Sequence, residues 1–371
     1  MIIETQKMDL KPDICQLNKE ELTALMSSWG EPKFRAAQVY DWLHKRGARS
    51  FSEMSNISKS LRERFSEEYR ITGMEAAQVY ISRIDGTRKY VFALDDGNAI
   101  EAVLMRYKHG NSVCISSQVG CRMGCRFCAS TLDGCVRNLT AAEMLSEVYR
   151  IGQDTGERVS NIVLMGSGEP MDNYDEVCRF LRMITDENGL NISARNITVS
   201  TCGLPDEIRK LAKEGLPVTL ALSLHAPNQE KREEIMPIAK KWHLTEVLSA
   251  CKYYYDHTGR RLSFEYSVVR GVNDTKENAA ELAKLLNGAG FGGSIRTKGG
   301  REGMCHVNLI PVNPIEERAY ESPDRKTVED FQHVLIQNGI NATIRREMGR
   351  DISSACGQLR RKYADKKSES L

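Results

Sequence analysis

Three cysteines fall within eight residues, Cys121, Cys125 and Cys128, in the order C-x3-C-x2-C. Thiolates hold zinc and iron–sulfur clusters, and both kinds of site ordinarily take four ligands. A zinc site would draw its fourth ligand from Cys135, Cys114 or a histidine. Zinc sites are usually built from paired C-x2-4-C knuckles, however, and this triplet has no second knuckle. A buried, inert role is the other alternative, but three polarisable thiols in one glycine-containing loop make poor core material. A cubane [4Fe–4S] cluster held by three thiolates accounts for the spacing better, and it leaves one iron open to a further ligand.

A loop of this kind needs a frame. From residue 113 onward the chain alternates apolar strand patterns with amphipathic helices. The strand candidates are "SVCISS", "NIVLM", "NITVS", "PVTLALSLH", "LSFEYSVV" and "HVNLI". Between them, "TAAEMLSEVYRIG" opens with a capping box, Thr140 with Glu143, and puts Leu145, Val148 and Tyr149 on one face. Serial βα units predict an α/β fold with parallel strands, a partial (β/α)6 barrel, with a doubly wound sheet as the competing architecture. In either, ligands bind at the C-terminal edge of the strands. The unusual residues fall there: the cysteine loop, "GSGEP", "STCG", "SLH" and "PVNP".

Upstream, "LNKEELTALMSSWG" reads as a helix with an Asn18–Glu21 capping box and Gly30 past its end. "FRAAQVYDWLHKRG" and "SEMSNISKSLRERFSEEY" read as two further helical segments. Residues 1–70 are therefore expected to form a small helical domain, and 71–112 a connector of antiparallel strands. The barrel is assigned to 113–345. The segment 346–371 carries Cys356 and a basic tail.

The chain has 371 residues, 41% hydrophobic and 27% charged, which fits a soluble globular protein. No apolar run is long enough to span a bilayer. The first 13 residues resemble no secretory leader, so a cytoplasmic protein with reduced cysteines is expected. Eleven cysteines, an odd number, argue against a fully paired disulfide framework. A net charge of +2 does not by itself point to nucleic acid. Two local features would suit an RNA backbone: the stretch "IRTKGGREG" (295–303) and the tail from Arg345, with eight Lys/Arg against four Asp/Glu.

The C-x3-C-x2-C loop after the first strand of a βα series resembles the radical S-adenosylmethionine superfamily. There S-adenosylmethionine fills the fourth place on the cluster, and one electron splits it into methionine and a deoxyadenosyl radical. More narrowly, "CISSQVGCRMGCRFCAS", "RNLT", "GSGEP", "SLHAPN", "MPI", "VNLIPVNP" and "DISSACGQL" resemble, in order, the RNA adenine methyltransferases RlmN (carbon 2) and Cfr (carbon 8). With "GEPKFRAAQVYDWL" the likeness covers nearly the whole chain. Pro170 in "GEP" and the long N-terminal helical region are more like the carbon-2 branch.

The resemblance implies roles for particular residues. Cys121, Cys125 and Cys128 hold the cluster. Gly168, Glu169, Ser200, Ser223, Leu224, His225 and Asn313 contact S-adenosylmethionine. Cys356 is methylated and then gives up a hydrogen, so that a methylene radical can add to an electron-poor ring carbon. Glu101 removes the ring proton, and Cys114 attacks the sulfur of Cys356 to form a disulfide and release the RNA. Implied substrates are 23S rRNA and the tRNA adenine beside the anticodon. A flavodoxin or ferredoxin would be the reductant and the protein a monomer. Bland readings stand beside these: a strand cysteine is usually core, Glu101 could face solvent, and His225 could be a core histidine. A carbon-8 methyltransferase and a zinc-ribbon RNA-binding protein are the other functional readings.

Overall fold

The computed structural model describes residues 11–108, 110–292, 304–354 and 357–359. The basic stretch 295–303, Cys356 and the tail from residue 360 lie outside the described residues.

The chain begins with three helices, α1 (Lys19–Ser28), α2 (Phe34–His44) and α3 (Lys59–Glu68). The capping box of α1 forms as expected: the Asn18 side chain accepts from the Glu21 N–H and Glu21 accepts from the Asn18 N–H. Leu22, Met26, Val39, Tyr40, Leu43, Leu61 and Phe65 bury their side chains in one cluster. That cluster reaches the rest of the protein at Ala142, on the first barrel helix. Polar contacts fasten the same joint. The Gln16 amide oxygen accepts from the Ala142 N–H at 2.9 Å, and Arg179 donates to the Gln16 carbonyl at 3.0 Å.

Strands β1 (Glu75–Ile81), β2 (Arg88–Ala93), β3 (Ala99–Tyr107) and β4 (Gly110–Cys114) pair antiparallel in succession. A short hairpin, β5 (Gln118–Gly120) with β6 (Cys135–Asn138), brackets the cysteine loop. The residue pattern does not reveal it, because the two strands are only three and four residues long. Then come α4 (Ala141–Thr155), β7 (Val159–Leu164), α5 (Tyr174–Thr185), β8 (Ile197–Thr201), α6 (Pro205–Leu211), β9 (Thr219–Ser223), α7 (Gln229–Ile235), α8 (Leu244–Thr258), β10 (Leu262–Val268), α9 (Lys276–Gly288), β11 (Cys305–Pro311), α10 (Arg325–Gln337) and β12 (Ala342–Ile344). Thr140 caps α4 reciprocally with Glu143, as its sequence predicts.

In the large sheet the strands follow chain order, β1-β2-β3-β4-β7-β8-β9-β10-β11-β12. A doubly wound sheet reverses direction partway; this one never does, so the parallel part is an open barrel. The six expected strands are β4 and β7 through β11. A seventh, β12, adds in parallel to β11; at three residues it is too short to show a period.

The helical region meets the barrel at a buried histidine. His44 ends α2, is fully buried, and shares a 3.0 Å hydrogen bond with the Tyr149 hydroxyl of α4. Burial pushes its imidazole down to about 3, partly opposed by Asp186. The unfolded chain takes up this proton below about pH 6.5, while the folded chain refuses it until about pH 3. Stability is therefore lost as pH falls through that window. Between pH 7 and 5 the native protein should lose on the order of 2 kcal/mol more stability than His44→Gln. Urea midpoints of the two proteins at each pH measure this; parallel midpoints would refute it.

Candidate active site

The site lies at the C-terminal edge of the sheet, where β4 and β7 run close together. Gly166 donates to the Ile115 carbonyl at 3.0 Å, and a Cβ on it would lie 2.6 Å from that oxygen. Gly168 has φ +108, and a Cβ there would come within 2.6 Å of the Gln118 nitrogen. Only glycine permits both approaches. Ser167, between them, accepts from the Ser117 and Gln118 N–H groups through its carbonyl. Its hydroxyl accepts from the Gly120 N–H at 3.2 Å, next to Cys121.

One hollow gathers most of the residues singled out in the sequence. Cys121, Cys125 and Cys128 line it, with Gly168, Glu169, Ser200, Ser223, His225 and Asn313. Leu224 does not line it. Its side chain is fully buried in the core, its N–H donates to the Glu265 carbonyl and its own carbonyl accepts from Arg232.

The Glu169 carboxylate is buried and accepts two backbone N–H groups, Met171 at 3.0 Å and Cys202 at 2.7 Å. Burial raises its pKa, and those two N–H groups oppose the rise. Each carboxylate oxygen has a second lone pair, so the group can still accept from a ligand. Ser200 and Ser223, at the ends of β8 and β9, bring their hydroxyls to 3.4 Å. His225 sits in the left-handed region at φ +55. Its Nδ1 accepts from the Ser267 N–H at 2.8 Å, which leaves the proton of the neutral ring on Nε2. Burial, and then Arg232, push its pKa down to about 3. Phe127, from the cysteine loop, meets the imidazole edge to face at 4.6 Å.

Glu101 and Cys114 line no part of this hollow and stand on the adjoining antiparallel strands β3 and β4, Cys114 in a neighbouring cavity and Glu101 in a separate small one. In the β2–β3 register Glu101 faces Val91 and Val103 faces Lys89; in the β3–β4 register Val103 faces Cys114. Side chains alternate along strands. Lys89, Val91, Glu101, Val103, Met105 and Cys114 therefore share the face turned away from α4. On that face Val103, Met105 and Cys114 pack with Met348 and Leu359, which lie on either side of Cys356 in the chain. Glu101 is 3% exposed, so the solvent-facing reading is excluded. Cys114 lines a second cavity that shares Met165, Ile310, Val312, Asn313 and Arg345 with the cysteine-lined hollow. Just past Cys356, Gly357 also lines the hollow, and its carbonyl accepts from the Ala129 N–H at 2.7 Å. No disulfide joins two of the described cysteines, and Cys356 lies outside the described residues.

Several contributors were not singled out in the sequence. Arg232 is 1% exposed and donates to the carbonyls of Ser223 and Leu224 at 3.2 Å each, and to that of Cys202. Its helix, "QEKREEI", looks like a solvated surface, so nothing marked this one charge as internal. Cys202, Glu265, Met123 and Arg345 also line the hollow. Cys202 stands in the "STCG" strand end already singled out, and that position was its only signal.

The donor set suits a cluster. Among the described residues no three His, Cys, Asp or Glu side chains are gathered for a single metal ion. Zinc needs its thiolates about 2.3 Å from one point. A cubane takes each thiolate on a different iron, so three thiols spread around one hollow match it. Burial raises the Cys121 thiol and pushes that of Cys125 up to about 12. Coordination by iron would supply the positive charge that displaces those protons.

Residues 12–71 match the family described as ribosomal RNA large subunit methyltransferase N-terminal domain, and residues 115–283 match the radical SAM superfamily. The probable dual-specificity RNA methyltransferase RlmN of Lachnoclostridium phytofermentans is 56% identical over 98% of this chain and 97% of that protein. Its counterpart in Lachnospira eligens is 54% identical over 96% and 98%. A crystal structure of a radical SAM methyltransferase from Sphaerobacter thermophilus superposes with a TM-score of 0.87 at 39% identity, covering 95% of this chain and all of that one. This chain belongs to the RlmN family of radical S-adenosylmethionine RNA methyltransferases, enzymes that use a [4Fe–4S] cluster and S-adenosylmethionine.

Proposed function

We propose that this protein methylates carbon 2 of adenine in 23S rRNA and in tRNA, in the cytoplasm, with a flavodoxin or ferredoxin as electron source. The observation that carries the reading is the junction of two cavities. The hollow lined by Cys121, Cys125 and Cys128 adjoins the cavity of Cys114, the two sharing lining residues such as Asn313 and Arg345. The carbon-2 assignment rests on the names of the relatives and on Pro170 in "GEP".

When bound, the cluster and S-adenosylmethionine supply the methyl group and the radical chemistry. The protein's residues position and terminate it. Cys121, Cys125 and Cys128 hold the cluster. Gly168 gives the backbone room to approach the ligand, and Glu169 accepts from its ammonium group. Ser200, Ser223, Asn313 and the neutral His225 offer hydrogen-bonding groups to the remainder. Leu224 supports His225 from the core rather than touching the ligand. Cys356 carries the methyl group that is joined to the base. Glu101 takes the proton from ring carbon 2. Cys114 then attacks the sulfur of Cys356, forming a transient disulfide as the base departs.

The test is anaerobic reconstitution with methyl-labelled S-adenosylmethionine, reductant and RNA, followed by nucleoside analysis. Label in 2-methyladenosine is expected; label in 8-methyladenosine would transfer the protein to the carbon-8 reading. Cys356→Ala should abolish methylation, and any label in RNA from that variant refutes the covalent route. Cys114→Ala should retain protein joined to RNA, visible as a retarded band on a denaturing gel. Gly168→Ala should keep its fold by circular dichroism yet bind S-adenosylhomocysteine at least about tenfold more weakly by calorimetry, the loss of a well-placed hydrogen bond or two. Native affinity in Gly168→Ala would remove that loop from the ligand site.

A further inference from the structure

Lys89 is 8% exposed, and a lysine is almost never buried unless its charge is matched. Two acceptors meet it. Its ammonium lies 3.4 Å from Glu101 Oε1 and donates to the Ser353 carbonyl at 3.2 Å. The Tyr80 ring lies 5.1 Å away on a third side. Glu101 is the base of the proposed reaction, and Ser353 stands three residues before Cys356. One buried cation thus touches both the strand that carries the base and the segment that leads to the methyl-carrying cysteine.

The Ser353 end is itself fixed. Asp351 accepts from the Ser82 hydroxyl at 2.6 Å and from the Arg83 N–H at 2.9 Å. Asp85, in the same β1–β2 turn, accepts from the Gly349 N–H at 2.9 Å. Ser353 occupies the left-handed region at φ +48, where a serine stays only if its surroundings hold it. The carbonyl that receives Lys89 is therefore a rigid anchor.

We propose that Lys89 is a positioning residue for the reaction: anchored on the Ser353 carbonyl, its ammonium keeps the Glu101 carboxylate charged and in place to take the ring proton. The inference rests on the proposed role of Glu101. Among the described residues, Lys89 from β2 is the cation that pairs with Glu101. The Cys114 thiol shares its face from β4, and Asp133, from the loop ahead of β6, borders the same small cavity as Glu101. Cys114 and Asp133 can only add negative charge there, whereas the Lys89 ammonium at 3.4 Å attracts the ionised form.

Lys89→Met and Lys89→Arg test it, in the reconstituted enzyme with labelled S-adenosylmethionine and RNA. In Lys89→Met, Cys356 should still be methylated, as read from peptide mass. Yield of methylated base should fall at least tenfold, and covalent protein–RNA adduct should accumulate. Lys89→Arg should recover most of the yield. Native yield in Lys89→Met overturns the proposal, as does a loss of yield accompanied by unmethylated Cys356. A second measurement needs neither RNA nor turnover. Infrared difference titration against Glu101→Gln follows the Glu101 carboxylate alone, and its midpoint should rise by about one pH unit or more in Lys89→Met. An unmoved midpoint also overturns the proposal. If native protein makes no 2-methyladenosine while the midpoint still moves, the functional reading has failed and the coupling of Lys89 to Glu101 has not.

Discussion

The site depends on the close approach of two backbones at the edge of the sheet. Gly166 lies against Ile115 and Gly168 against Ser117 and Gln118, with no space for a Cβ at either contact. Hydrogen bonds close the seam. The Gly166 N–H bonds Ile115, the Ser167 N–H bonds the Ser116 hydroxyl at 3.0 Å, and the Glu169 N–H bonds the Gln118 side chain at 2.9 Å. The Ser116 hydroxyl in turn donates to the Glu101 carbonyl at 2.8 Å, and the Ser116 N–H donates to Glu147 at 3.0 Å. A single seam thereby sets the start of the cysteine loop, the Gly–Glu loop and the strand of the proposed base. Ser167 joins the seam through its own hydroxyl.

Charge inside the site is matched mainly by backbone. Arg232 spends its donors on carbonyls at the ends of β8 and β9, and Glu169 takes N–H groups from two loops. Such bonds convert the cost of burying charge into rigidity at strand ends. Breaking one partner of a buried pair typically costs about 3–5 kcal/mol, because the other charge is left stranded. His225 avoids that cost by remaining neutral, and so offers a proton-bearing Nε2 at ordinary pH.

Much of this frame was legible in the sequence because it rests on local chemistry. The capping boxes of α1 and α4, the six strand patterns and the cysteine spacing each depend on neighbours in the chain. The features that were not legible depend on partners far away. β12 is defined by its pairing with β11, not by composition. Arg232 is internal only because three carbonyls from two strand ends converge on it. Leu224 lies in a motif that resembles ligand-binding positions, yet just past the end of β9 its side chain turns into the core while its neighbours Ser223 and His225 line the hollow. Glu101 was ambiguous for the same reason: alternation shows that a residue has a face, but register decides which face is covered.

Register also explains why the segment around Cys356 belongs to this site. Upstream, Asp351 and Gly349 are held by the β1–β2 turn; downstream, Gly357 is held by Ala129 at the end of the cysteine loop. The antiparallel connector is thus more than a spacer between helices and barrel. It extends the sheet by three strands, and that extension carries Lys89 and Glu101 as well as the turn that grips the C-terminal segment. A one-residue slip between β2 and β3 would turn Lys89 and Glu101 to opposite faces and separate the proposed base from its cation. Met348 and Leu359 pack against Val103, Met105 and Cys114, so the burial of those side chains penalises such a slip. The core contact that fixes the register is also the contact that brings the two ends of the cysteine-bearing segment to the face shared by Cys114 and Glu101.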